Sequence, residues 1–396
     1  MIKREQFINP IRPFYEIMDL IKVIMGIRRC GKSVLLMQIA DELREKGIDE
    51  KHIIFINFEL FEYSSVKTAE ALHDYITERV TDKEKYFVFL DEVQMVEKFE
   101  LVVNSLRTHG NISIFITGSG HLLSGELATV LSGRYVSFRL TPFTFSEVKL
   151  LTNETDNRKL LVEYMKWGGL PGRFVFQSEN ETRKYLQDVY DSIILRDIIQ
   201  RSGLRDLNLL ENIIQFMIDN TGKIFSANTI SKYLKSQSRG VSAEALYNYI
   251  GYLVSSLLFN KVYRYDINGK NVFATLEKYY IVDLGLLQLK RSFISENFGS
   301  RLETIVANEL LARGYKINVG TQKDDEIDFV ATPTTGEIEY YQVAYTAKEG
   351  DTLDRELAPL QKIKDNYRKI VLTTDEFEWN HAGIEQLNVE KWLLNK

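Results

Sequence analysis

One string constrains this chain more than any other: Gly26-Ile27-Arg28-Arg29-Cys30-Gly31-Lys32-Ser33, an instance of G-x-x-x-x-G-K-[ST]. Its glycines let the backbone turn so that successive N–H groups point at one place. The helix expected to follow adds its positive N-terminus to the same spot. A phosphate group satisfies that arrangement. Lys32 is expected to reach the β- and γ-phosphates of ATP, and the Ser33 hydroxyl to bind Mg²⁺. Arg28 and Arg29 either touch phosphate or face solvent. Cys30 has no histidine partner in sequence and reads as a loop residue rather than a nucleophile.

Such a loop needs a strand before it and a helix after it, and both are present. Ile21–Ile27 is a short apolar run, and Ser33–Arg44 carries Leu35, Leu36, Ile39 and Leu43 at helical spacing. Further strands are expected at Ile53–Phe58, Phe87–Leu90, Ile112–Ile116 and Tyr135–Leu140. All are nearly continuously apolar, as strands buried on both faces of a parallel sheet must be. The pattern predicts an α/β fold.

Phe87–Leu90 runs into Asp91-Glu92. An acid at the carboxyl end of a strand beside the phosphate loop can hold the Mg²⁺ shell, which is the role expected for Asp91. Glu92 is then placed to polarise a water for attack on the γ-phosphate. The Ile112–Ile116 strand ends in Thr117-Gly118-Ser119, where the Thr117 hydroxyl is either a sensor near the γ-phosphate or simply part of a turn. Arg134, in Ser132-Gly133-Arg134-Tyr135, is either a solvated surface residue or an arginine finger acting on a neighbouring subunit.

These motifs resemble one group of proteins. Gly-Ile-Arg-Arg-Cys-Gly-Lys-Ser-Val-Leu-Leu, Leu-Asp-Glu-Val-Gln, Ile-Thr-Gly-Ser-Gly, Leu-Leu-Ser-Gly-Glu-Leu-Ala-Thr, Leu-Ser-Gly-Arg-Tyr and Pro-Phe-Thr-Phe-Ser-Glu look like the prokaryotic AAA+-type ATPases. The likeness continues through Gly168–Pro171, Leu195–Ile198, Lys278–Tyr280, Asp283–Leu286 and Glu326–Phe329, covering nearly the whole chain. It implies a P-loop core with an additional strand (residues 1–145) and a helical lid (146–204). A winged helix (205–290) and a nuclease-like α/β domain (291–396) would follow.

The residues themselves also suggest a winged helix. Ser226–Lys235 and Ser242–Val254 read as two helices, the second with Leu246, Ile250 and Leu253 on its apolar face. A hairpin follows across Lys261–Lys270, turning at Asn268-Gly269. Residues 221–280 hold eight Lys/Arg against three Asp/Glu, a net +5 within a chain of net −5. Lys232, Lys235, Arg239, Arg264 and Lys270 would contact DNA phosphates, unless the charges are simply solvated around a protein-binding module.

In the tail, a helix is expected at Leu302–Arg313 and strands at Tyr315–Val319, Ile327–Ala331, Tyr340–Ala344 and Lys369–Thr373. Glu303, Asp328 and Gln342-Val343-Ala344 resemble the PD-(D/E)XK nuclease layout, whose carboxylates hold Mg²⁺ beside a lysine. Here Gln342 stands for the second strand carboxylate and Ala344 for the lysine, so the domain is expected not to cut DNA.

The remaining composition excludes rather than assigns. A single cysteine rules out an internal disulfide framework, and five scattered histidines show no zinc spacing. The first residues lack a signal peptide's apolar core, and no run approaches the roughly 18 apolar residues of a membrane span. The expectation is a cytoplasmic homo-oligomeric ATPase that binds and hydrolyses ATP with Mg²⁺ and couples it to DNA binding or remodelling, with no membrane partner. The alternatives are a regulatory NTPase switch with protein partners in signalling or defence, and an ATP-dependent nuclease.

Overall fold

The computed structural model of the chain describes residues 2–118, 130–204, 206–236, 240–323, 325–334, 336–347 and 357–395. Ser119, Arg239 and the Leu-Leu-Ser-Gly-Glu-Leu-Ala-Thr string lie outside them. Two compact units are present: residues 1–141 with 255–257, and residues 142–254 with 258–396.

In the first unit a short helix α1 (Glu5–Ile8) precedes β1 (Ile21–Gly26), α2 (Lys32–Glu45), β2 (Ile53–Asn57) and α3 (Ala69–Thr77). Then come β3 (Tyr86–Asp91), α4 (Phe99–Arg107), β4 (Ile112–Gly118) and β5 (Tyr135–Leu140). The sheet order is β2-β3-β4-β1-β5, all parallel. Every residue of β3 and β4 is buried, whereas the edge strand β5 is mostly half-exposed. That gradient is what helices on both faces of a parallel sheet produce. Phe89 stacks between Phe55 and Phe115 at ring distances of 5.7 and 4.7 Å, tying three neighbouring strands across one face. On the core side Ile21, Val23, Ile54, Ile56, Val88 and Leu90 pack with Leu72, Ile76 and Leu106 from α3 and α4. Strand β4 lies between β1 and β3, so the loop following β1 and the acids ending β3 flank it.

The second unit opens with α5 (Phe145–Thr152), α6 (Asn157–Trp167) and α7 (Glu179–Ser192), the last continuing into a π-helical stretch, Ile193–Ile199. Capping boxes start α5 at Thr144/Glu147 and α7 at Ser178/Glu181, each pairing a hydroxyl with the third-residue glutamate. Next are α8 (Leu207–Asp219), β6 (Ile224–Phe225), α9 (Ala227–Ser236), α10 (Ala243–Ser255), β7 (Phe259–Asp266) and β8 (Asn271–Ile281). Leu246, Ile250 and Leu253 of α10 are buried, as their spacing requires, while Tyr247 is exposed.

The chain continues through α11 (Leu284–Lys290), α12 (Phe298–Ala312), β9 (Lys316–Gln322), β10 (Asp325–Thr332) and β11 (Glu339–Val343). It ends with β12 (Arg368–Thr373), β13 (Trp379–His381), β14 (Ile384–Asn388) and α13 (Val389–Leu394). One nine-stranded sheet, β13-β14-β12-β11-β10-β9-β7-β8-β6, takes in both the basic hairpin and the tail, because β7 pairs in parallel with β9 through Arg264–Asp266 and Val319–Thr321. The basic stretch and the tail therefore share one hydrogen-bonded framework.

Candidate nucleotide site and a second charged cluster

The phosphate-loop string sits where its chemistry needs it, between the C-terminal end of β1 and the N-terminus of α2. Gly26 tolerates no side chain: a Cβ there would lie 2.5 Å from both Cys30 Sγ and the Leu140 carbonyl oxygen of β5. Gly31 adopts φ +104° immediately before Lys32, a left-handed conformation that glycine enters without steric cost. No side chain caps α2, so the first amides of this fourteen-residue helix are not consumed by a local hydroxyl or carboxylate.

Lys32 is buried, its Nζ donating to the Gly26 carbonyl at 3.2 Å and lying 3.5 Å from Glu92 Oε1. Arg28 is half-buried and pairs with Glu59 at 3.6 Å, whereas Arg29 is exposed with φ +66°. Cys30 is fully buried, and burial pushes its thiol above the ordinary range. Of the two arginines left open between phosphate and solvent, Arg28 is thus engaged with a carboxylate and Arg29 faces outward.

The two acids at the end of β3 are held differently. Asp91 is completely buried; Thr117 donates its hydroxyl hydrogen to Asp91 Oδ1 at 2.5 Å. The same Thr117 oxygen accepts the Glu92 N–H at 2.9 Å, so one hydroxyl on β4 fixes both acids. Burial raises the Asp91 pKa, with the Ser33 and Thr117 hydroxyls pulling against it. Its second oxygen, Oδ2, is buried without a hydrogen-bond partner. An orphaned carboxylate oxygen beside the Ser33 hydroxyl suits a hard divalent cation, and the donor set fits Mg²⁺.

Glu92 stands in the left-handed region, φ +57°, at the turn that ends the strand. Burial raises its pKa, but the Lys32 ammonium, the Gln94 amide and Arg28 outweigh that and leave it below the ordinary carboxylate value. Gln94 Nε2 donates to Glu92 Oε2 at 2.5 Å. Gln94 was not singled out by the motifs, although it sits in the Leu-Asp-Glu-Val-Gln string.

Arg134 is not part of this assembly. It precedes β5 at the end of the sheet where β1 begins, is exposed, and donates to Asn104 Oδ1 at 3.1 Å. A six-residue strand separates it from the phosphate-loop end, about 20 Å at the usual rise. Within the chain it is a surface arginine.

In the second unit the strings Lys278–Tyr280 and Glu326–Phe329 meet with Glu303. Lys278, on β8, is 2% exposed, and its Nζ lies 2.9 Å from Glu303 Oε1, 2.6 Å from Glu326 Oε1 and 3.7 Å from Asp328 Oδ1. Tyr280 donates to the same Glu303 oxygen at 2.7 Å. Asp328 Oδ2 accepts the Val343 N–H at 2.8 Å, and the Asp328 N–H donates to Gln342 Oε1 at 3.3 Å. Glu303 and Asp328 thus meet at Lys278, Gln342 is bonded to Asp328, and Ala344 is buried close by in sequence. Sequence reasoning missed the lysine, which comes from another strand. Its signal was a lone ammonium-bearing residue leading an apolar run, Tyr279-Tyr280-Ile281. Among the described residues no group of three or more His, Cys, Asp or Glu is arranged to hold a metal ion.

The basic cations are partly free. Lys232, Lys235 and Lys270 are exposed, and Lys261 pairs with Glu277 at 2.7 Å. None of the described helices is long and apolar enough to cross a membrane.

Comparison with known proteins agrees with the first unit's architecture. Residues 19–149 match the model of the AAA domain, and residues 158–295 match that of a domain of unknown function. An uncharacterized protein of Haemophilus influenzae is 41% identical over 401 residues, covering 100% of this chain and 99% of its own length. Another, from Methanocaldococcus jannaschii, is 28% identical, covering 98% of this chain and 88% of its own. Among solved structures, a Walker-type ATPase of Pyrococcus abyssi aligns over 73% of this chain and 95% of its own, with 15% identity and a TM-score of 0.48.

Proposed function

The chain belongs to the family of the Haemophilus influenzae protein and carries an AAA domain, and on that footing we propose that it is a Mg²⁺-dependent AAA+-type ATPase that couples ATP turnover to DNA binding as a homo-oligomer. One observation carries the catalytic part. A buried, half-satisfied Asp91 and a Glu92 bridged to Lys32 are both anchored by Thr117 at the mouth of an uncapped helix.

A bound Mg²⁺ would supply positive charge against the phosphates. Ser33 and Asp91 would hold it, since they offer the hydroxyl and the unpaired carboxylate oxygen. Lys32 exchanges its bonds to Gly26 and Glu92 for phosphate oxygens. Glu92, freed of that ammonium, becomes the base that takes a proton from the attacking water. Thr117 keeps both acids aimed and reports on the γ-phosphate through the hydroxyl they share. Arg134, exposed and remote from its own site, acts as a finger on a neighbouring subunit.

The second unit supplies the DNA side. Helices α9 and α10 with the β7–β8 hairpin act as a winged helix whose exposed Lys232, Lys235 and Lys270 neutralise phosphates. The tail is a nuclease-like domain without cleavage activity. A lysine ammonium holds its carboxylates together, and Gln342 supplies an amide where a carboxylate would be required.

The deciding experiment measures ATP turnover with and without single-stranded, duplex and four-way DNA. Turnover raised by one of these supports the coupled reading. Turnover indifferent to all of them supports a regulatory NTPase with protein partners.

A further inference from the structure

Beneath the phosphate loop lies an arginine that no motif includes. Arg4 is 1% exposed, although it is among the first residues of the chain. Its backbone N–H donates to Gln38 Oε1 at 3.1 Å, and Gln38 Nε2 donates to the Ile2 carbonyl at 2.7 Å. One side chain of α2 therefore pins the N-terminal segment against the helix that the loop initiates. The Arg4 guanidinium lies 4.4 Å over the Phe7 ring. Its Nη1 donates to the Cys30 carbonyl at 3.1 Å and to the Thr141 carbonyl at 2.9 Å.

The Cys30 contact has a consequence for the next amide. In a trans peptide the C=O and the following N–H point in opposite directions, and the described chain has no cis peptide. Holding the Cys30 oxygen toward the buried Arg4 turns the Gly31 N–H to the opposite side. The Thr141 contact anchors the same guanidinium just beyond β5, the strand whose Leu140 carbonyl already crowds Gly26. Arg4 thus joins the loop to the β5 edge of the sheet. A planar guanidinium can address two carbonyls from one fixed plane, and it keeps its charge when buried.

We infer that Arg4 is a positioning residue of the nucleotide site: it fixes the Cys30–Gly31 peptide so that the loop N–H groups stay presented to phosphate. The inference rests on the nucleotide-site reading above, and it extends that site to a residue 22 positions upstream of Gly26.

The chain carries its own reporter. Cys30 is the single cysteine, lies within the loop, and is fully buried. Its rate of reaction with a maleimide therefore measures how often the loop opens. The experiment compares wild type, Arg4→Met and Arg4→Lys in the full chain. It reads maleimide labelling without nucleotide, affinity for a fluorescent ADP, and cooperative melting. Loss of a charged hydrogen bond should raise the labelling rate of Arg4→Met and weaken its ADP affinity, each by about tenfold or more. Arg4→Lys, with its charge but no fork, should fall between. If Arg4→Met does not fold, Arg4→Lys decides on the same two readouts. A variant that melts lower yet labels and binds like wild type below its transition makes Arg4 a purely structural plug and overturns the inference. Wild type that fails to bind ADP overturns the nucleotide-site reading instead, and the labelling comparison still tests Arg4's grip on the loop.

Discussion

Lys32 Nζ lies 3.5 Å from Glu92 Oε1, so the cation proposed for phosphate and the acid proposed for water neutralise each other's charge. The proposed mechanism requires nucleotide binding to separate them, and the two residues should fail differently when replaced. Lys32→Ala should abolish nucleotide binding. Glu92→Gln should retain it, because the amide still fits between Lys32 and Gln94, while turnover falls by roughly 10²–10⁴ for want of a base. Equilibrium binding of fluorescent ATP beside steady-state phosphate release checks both; equal turnover in Glu92→Gln and wild type removes Glu92 from the mechanism.

Arg134 stands at the opposite end of β5 from the loop, which leaves action in trans as its only catalytic route. Arg134→Ala alone should lose roughly 10³–10⁵ in rate if it is a finger. Mixing it with Glu92→Gln should restore part of the turnover, since one protein supplies the finger and the other the base. A mixture that stays inactive, while co-purification of one variant on the other's affinity tag shows mixed oligomers, would reject the assignment.

DNA affinity should depend on the exposed lysines of the basic stretch. Replacing Lys232, Lys235 and Lys270 by glutamine should weaken binding across sequences, and each lost phosphate contact should flatten the salt dependence by about one unit in log–log slope. Titrations at several salt concentrations measure this. An unchanged slope in the triple variant would move the DNA contact elsewhere or remove it.

Three carboxylates around Lys278 give the second cluster a charge excess with a pH signature. Burial, and then the neighbouring Glu303, raise the Asp328 pKa well above its ordinary value, while Lys278 opposes them. The folded state therefore binds a proton that the unfolded state has already released. Stability should fall as pH rises from the unfolded value, about 3.9, through the raised folded one. Asp328→Asn removes that titration and can still accept the Val343 N–H, so its melting temperature should vary less with pH and exceed wild type's at pH 8. Lys278→Met should act the other way, costing about 3–5 kcal/mol at neutral pH by leaving buried charge uncompensated. Melting curves from pH 5 to 9 test both.

The first unit was legible because its signals are local. Five apolar runs became the five parallel strands, and the Gly26–Ser33 string fell between β1 and α2 because only a strand–loop–helix can satisfy it. The place of Thr117, though not its partners Asp91 and Glu92, was also readable, since β4 lies between the two motif strands. Arg4, Gln94 and Lys278 were not. Arg4 acts across 26 residues and Lys278 across 25 and 50 to reach Glu303 and Asp328, so no spacing rule connects them. Strands β13 and β14 escaped as well: Trp379–His381 is mostly exposed, and Ile384–Asn388 alternates buried with half-buried residues, giving a weaker pattern than the core strands.

The tail should not cleave DNA even where it binds it. Lys278 places an ammonium within 3.7 Å of Glu303, Glu326 and Asp328, engaging oxygens that a catalytic Mg²⁺ would need. Tyr280 and the Val343 N–H take further lone pairs on Glu303 and Asp328. Gln342 then offers an amide oxygen that already accepts the Asp328 N–H, a neutral and weak partner for a hard cation. Metal entry would have to displace a buried, ion-paired lysine. Purified protein incubated with linear, circular and four-way DNA, with Mg²⁺ or Mn²⁺ and with or without ATP, should leave every substrate intact. Cleavage that disappears in Asp328→Ala but persists in Lys32→Ala would overturn this and make the tail a nuclease in its own right. Cleavage lost in both would make it an ATP-dependent one.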